Sequence, residues 1–153
     1  MNQKSERSLK IGLPKETSND ERRISLTPGG VSILTANGHE ILVEKNAGID
    51  AHFSDKDYQD AGATISYSAE ELFSKSEMIV KVAPPTETEL KWMQPNQILL
   101  SALHLGHTTK EFINTILEKG ICGIGYEFIK SEDNEFPTYH RMWPEQLPMH
   151  SIM

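Results

Sequence analysis

Residues 10–44, KIGLPKETSNDERRISLTPGGVSILTANGHEILVE, decide how this chain folds. Lys10–Leu13 is a short, mainly apolar run of strand length, bounded by proline. A polar loop, Pro14 to Arg23, follows it. Thr27-Pro28 then offers a hydroxyl cap and a proline at the first helical position. Val31, Ile33 and Leu34 continue the helix, and Asn37-Gly38 supplies a left-handed exit. Glu40–Glu44 is a second strand. Strand, helix and strand in so short a span form a βαβ unit, whose strands run parallel.

The same alternation extends outward. Further strands are expected at Thr64–Tyr67, Met78–Val82, Gln97–Ser101 and Cys122–Ile129. Further helices are expected after Ser54, Ser68, Thr86 and Thr108, each a residue whose side chain can accept from a helix N-terminus. Phe112, Ile113, Ile116 and Leu117 recur at helical spacing before Gly120 closes the last helix. The fold class is therefore α/β: a Rossmann-like (flavodoxin-like), open, mainly parallel sheet with helices on both faces. Residues 1–9 read as an N-terminal tail and 10–140 as the domain. Residues 141–153 carry no usable periodicity and read as a disordered or foreign tail.

Composition narrows the function. With 15 Lys+Arg against 22 Asp+Glu, a formal charge of -7 argues against nucleic acid or an anionic membrane as the main partner. No apolar run reaches membrane-spanning length and no secretory signal opens the chain, so the expected setting is the cytoplasm. The single cysteine, Cys122, cannot form an intramolecular disulfide; between Ile121 and Gly123 it reads as a buried structural thiol.

Chemistry belongs where loops leave the carboxyl ends of parallel strands. In the loop Pro14–Arg23, Arg22 or Arg23 could fork onto a substrate carboxylate, or could pair with Asp20 or Glu21 at the surface. His104, after the strand ending at Ser101, is either a proton donor and acceptor or a satisfied core histidine between Leu103 and Leu105. His104 and His107 make a poor metal pair, because no carboxylate or thiol lies near them in sequence. Lys81, flanked by Val80 and Val82, must find a counter-charge, lose its proton, or snorkel to solvent. Gly123 and Gly125 form a G-x-G fragment without the third glycine or following helix that a dinucleotide fingerprint needs.

Several blocks, in order, resemble the alanine dehydrogenase and proton-translocating transhydrogenase alpha family. They are Gly12–Glu16, Glu21–Pro28, Ala36–Glu44 with Ala47-Gly48, Phe53–Tyr58 to Ala63, Met78–Val82, Gln97–Leu99, Leu103–Leu105 and Tyr126-Glu127. The resemblance covers roughly residues 8 to 142. It implies reversible oxidative deamination of L-alanine to pyruvate and ammonia with NAD, in a parent that is a homo-oligomer. It also implies that Arg23 holds the substrate carboxylate and that His104 is the acid and base. A family K-V-K-E-P segment reads Lys81-Val82-Ala83-Pro84-Pro85 here, so Ala83 stands where the family has a substrate lysine, and Lys81 is the remaining candidate on that strand face. This departure keeps open a transhydrogenase-like reading without amino-acid chemistry, and a related amino- or keto-acid dehydrogenase of the saccharopine-forming type.

The resemblance further implies an incomplete domain, a substrate-side half-cleft inactive without an NAD-binding domain. Codons permitted for Trp143 to Pro148, shifted by two bases, allow Ala-Gly-Thr-Ala-Ser, which fits the family continuation after Met142. A frameshift near Arg141 is the corresponding expectation.

Overall fold

The computed structural model describes residues 7–18 and 20–131. Six strands form one sheet: β1 (Lys10–Leu13), β2 (Glu40–Glu44), β3 (Thr64–Ser66), β4 (Met78–Val80), β5 (Ile98–Ser101) and β6 (Cys122–Gly125). Five helices connect them: α1 (Pro28–Ala36), α2 (Asp55–Asp60), α3 (Ala69–Lys75), α4 (Glu87–Trp92) and α5 (Lys110–Glu118). The spatial order is β3-β2-β1-β4-β5-β6 and every pairing is parallel. The chain winds outward from β1 to β3, then crosses back to place β4 against the other side of β1. The open parallel sheet expected from the sequence is therefore present.

Alternation along the strands divides the core between two faces. Ile11, Leu13, Ile41, Val43 and Val80 pack with Val31 of α1 and Tyr58 of α2. Ile79 and Leu99 point the other way, into Leu72, Phe73, Leu90 and Met93 of α3 and α4 and the loop after α4. Each fully buried side chain of this size contributes about 1.5–3 kcal/mol. Gly12 sits on the second face, where an added Cβ would collide with Ser76 Oγ and Leu72 Cδ2; its missing side chain lets α3 lie close to β1.

The caps show why these helices begin where they do. Thr27, Ser54, Ser68 and Thr86 each accept from a backbone N–H of the first turn. The last helix departs from expectation by one residue: Thr109 is its cap, while Thr108 Oγ1 donates to Leu105 O and belongs to the preceding turn. Strand ends also differ. The expected strand from Cys122 stops at Gly125 and turns into a 3-10 turn at Tyr126–Phe128. Cys122 itself is exposed rather than buried, because among the described residues β6 is the edge strand and three of its four residues face solvent. The proposed tail at 141–153 and its frameshift lie outside the described residues.

Candidate functional site

All six strands end on one edge of the sheet, and the winding reverses between β1 and β4. A crevice opens at such a switch point because the loops leaving the two strands run in opposite directions. The β1 loop, Pro14–Thr27, and the β4 loop, Lys81–Thr86, meet here.

The β1 loop is anchored along its length. Lys15 N donates to Glu44 Oε2 at 2.8 Å, Ser25 Oγ to Val80 O at 2.9 Å, and Tyr58 Oη to Leu26 O at 2.9 Å. Across the switch point, Glu16 accepts from Val82 N at 2.6 Å and from Ala83 N at 3.4 Å. Burial raises the Glu16 pKa from the ordinary glutamate value, against the opposing pull of Lys81 and of these backbone donors. Glu44 is raised as well, first by burial.

Lys81 lies beneath this crossing. Its side chain is 1% exposed, and Nζ sits 2.8 Å from Glu89 Oε1 and 3.3 Å from Glu16 Oε2. Of the outcomes open to a lysine between valines, the structure shows the first: a counter-charge. This geometry directs Nζ of Lys81, the remaining candidate for a substrate lysine on that strand face, into two carboxylates. Glu89 is itself fixed by a capping box, with Oε2 accepting from Thr86 N at 2.7 Å.

Arg23 lies within the second half of the β1 loop. Glu21 Oε1 accepts from Arg23 N and Nε at 2.9 and 2.8 Å, and Glu21 Oε2 from Nη2 at 2.7 Å. The surface pairing weighed for this loop is thus formed, with Glu21 as the partner. The hydrogen bonds from Glu21 raise the Arg23 pKa, with Glu16 adding to the field. Partial burial pushes Glu21 upward, but Arg23 outweighs it and holds the carboxyl below its usual range. Beside the loop is an open cleft of about 670 Å³ lined by Lys15, Glu16, Ser18, Arg22, Asp50 and His52, among others.

His104 is exposed and sits one strand further along, beyond the end of β5. Its backbone is left-handed, with φ at 47°. Glu127 Oε1 accepts from Leu103 N at 2.9 Å and His104 N at 2.8 Å. Tyr126, in the same turn, has its pKa raised by burial and by the Glu16 charge, which keeps its hydroxyl protonated. The fold thus gathers Arg23, Glu16 and Lys81 at the switch point and puts His104 on the neighbouring strand end.

Three carboxylates went unassigned in the sequence: Glu16, Glu89 and Glu127. The Thr86-x-x-Glu89 spacing is a capping-box signal that could have located Glu89. Nothing in local spacing connects Glu16 to Val82, or Glu127 to His104. Among the described residues no group of His, Cys, Asp or Glu is arranged to hold a metal. Nor do the described residues of the β1 loop suit a dinucleotide. A pyrophosphate needs a tight glycine turn at a helix N-terminus, whereas the β1 loop is long and brings Glu16 and Glu21 to the site.

In a parallel α/β domain, a polar cleft beside the switch point lies where ligands bind beyond the carboxyl ends of the strands. The family profile "Alanine dehydrogenase/PNT, N-terminal domain" matches residues 12–142, and the chain belongs to that family. It is 40% identical over 129 residues to an alanine dehydrogenase of Staphylococcus haemolyticus (strain JCSC1435), which covers 84% of this chain and 34% of that protein. An alanine dehydrogenase of Methanococcus maripaludis (strain S2) is 39% identical over 127 residues, with coverage of 83% and 34%. A solved L-alanine dehydrogenase superposes with a TM-score of 0.79 at 38% identity, over 84% of this chain and 35% of that one. A transhydrogenase from Sinorhizobium meliloti shares the fold, with a TM-score of 0.70 at 22% identity over 77% of this chain and 33% of that one. The chain spans about a third of the length of the curated relatives it matches. No described helix is long and apolar enough to cross a membrane.

Proposed function

We propose that this domain forms the substrate-binding side of an NAD-dependent alanine dehydrogenase, converting L-alanine, NAD and water to pyruvate, ammonia and NADH. The observation that carries the reading is the placement of Arg23 and His104 on loops at the carboxyl edge of β1 and β5, in a domain of this family. Arg23 presents a planar guanidinium suited to a carboxylate. Glu21 orients that group, and an incoming substrate carboxylate competes with Glu21 for it. His104 exchanges the proton of the keto or carbinolamine oxygen. Lys81 acts from beneath, holding Glu16 and Glu89, which fix the two loops against each other. NAD binds outside the described residues, in a second domain, and the assembled enzyme is a cytoplasmic homo-oligomer.

One observation favours a second reading. Ala83 offers no cation, and Lys81 Nζ is engaged below the cleft, so the Lys81–Pro85 segment presents no ammonium to a substrate. A transhydrogenase-like domain needs none.

A chimera separates the two. This domain replaces the matching third of the Staphylococcus haemolyticus protein, and NADH formation from L-alanine is measured. Turnover that His104→Ala abolishes is the expected result. A chimera that folds cooperatively yet shows no L-alanine turnover would sink the first reading and leave the second.

A further inference from the structure

We infer that Glu127 is the positioning residue for His104, an inference that rests on the assignment of His104 above. A histidine at φ 47° is strained, since a Cβ crowds the following carbonyl in left-handed backbone. Such a conformation persists only where its surroundings hold it, and the carboxylate of Glu127 does so. One oxygen, Oε1, accepts from the consecutive N–H groups of Leu103 and His104 at 2.9 and 2.8 Å. Two adjacent donors on one anion fix the peptide that leads into His104. The carboxylate therefore anchors the peptide plane from which the left-handed His104 and its imidazole depart.

The rest of the turn is built to deliver this carboxylate. Ser101 of β5 pairs with Gly125 of β6, so the two strand ends lie side by side. The 3-10 turn Tyr126–Phe128 then folds the chain back over the β5 end. Gly125 makes the fold-back possible: an added Cβ would lie 2.7 Å from Phe128 Cδ2 and 3.0 Å from Glu127 Oε2. Glu127 Oε2 is buried, and no hydrogen-bond partner for it is found among the described residues. A buried, unpartnered carboxylate oxygen is costly, and the two backbone donors on its sister oxygen offset that cost.

NMR on the intact chain tests this. In the unaltered protein, the amide protons of Leu103 and His104 should titrate together with the Glu127 side-chain carboxyl carbon, because all three sense one protonation. Amides that stay flat while that carbon titrates would overturn the inference. Glu127→Ala should erase the positive-φ signature of the His104 Cα and Cβ shifts and speed exchange of both amides about tenfold. Amides of Leu72 and Ile79 report whether the core is intact. Glu127→Gln keeps an acceptor oxygen and should restore both signatures, a rescue that a general packing role would not require. His104 retaining its positive-φ shifts in a folded Glu127→Ala chain would also overturn it. In the chimera, Glu127→Ala should lower kcat more than it raises KM. If His104→Ala leaves turnover intact, the functional reading fails while the NMR results still decide the positioning.

Discussion

Lys81 Nζ lies 2.8 Å from Glu89 Oε1, with both side chains almost wholly removed from solvent and Glu16 Oε2 at 3.3 Å on the other side. One buried ammonium thus serves two buried carboxylates from different elements. Deleting a partner leaves uncompensated charge in a dry site, which costs about 3–5 kcal/mol. Lys81→Met should lower unfolding free energy by that order in urea at neutral pH, with the loss shared between this lysine and the carboxylates it supports. A change well under about 1 kcal/mol would show that water reaches the cluster after all.

Gly12→Ala should destabilise through a clash, although alanine suits a β1 backbone. The added methyl meets Leu72 Cδ2 of α3 and Ser76 Oγ at its C-terminal cap. Overpacking of this kind costs about 1–3 kcal/mol. Thermal unfolding checks it, and an unchanged Tm would mean α3 shifts freely on the sheet.

Tyr58 makes stability depend on alkaline pH. Burial pushes its pKa up to about 12 from 10.0, so the folded state holds the proton more tightly than the unfolded chain. The contribution is complete below about pH 10 and is lost as pH rises through the folded value, up to about 2–3 kcal/mol. Tyr58→Phe should flatten that decline and cost about 1 kcal/mol at neutral pH, since Leu26 O loses its donor. Parallel pH–stability curves for the two chains would contradict the assignment.

Arg23→Lys, placed in the chimera, should raise KM for L-alanine about tenfold while changing kcat less, because an ammonium cannot fork onto a carboxylate. Steady-state kinetics decide it. An unchanged KM would show that Arg23 serves only its pairing with Glu21.

How much of this was legible beforehand differs between elements. The βαβ unit at 10–44 could be read because every signal was local: the Thr27-Pro28 cap, the Asn37-Gly38 exit, and apolar runs of strand length. Thr108 and Thr109 show the limit, since either hydroxyl could cap the last helix and only the fold of the preceding turn chose between them. Cys122 between Ile121 and Gly123 looked like core, yet its exposure depends on strand order, which no local pattern contains.

The sequence by itself determined the class of fold, the family, and the place of the Arg23 and His104 loops at the carboxyl ends of strands. Only the tertiary structure decided what those side chains touch. It gave Arg23 to Glu21, joined Glu16 to Val82 across 66 positions, and sent Lys81 down to Glu89. The reason is physical: caps and periodicity act within a turn or two of the chain. The pairing of a buried charge, by contrast, is settled by whichever group the packed sheet brings within hydrogen-bonding distance.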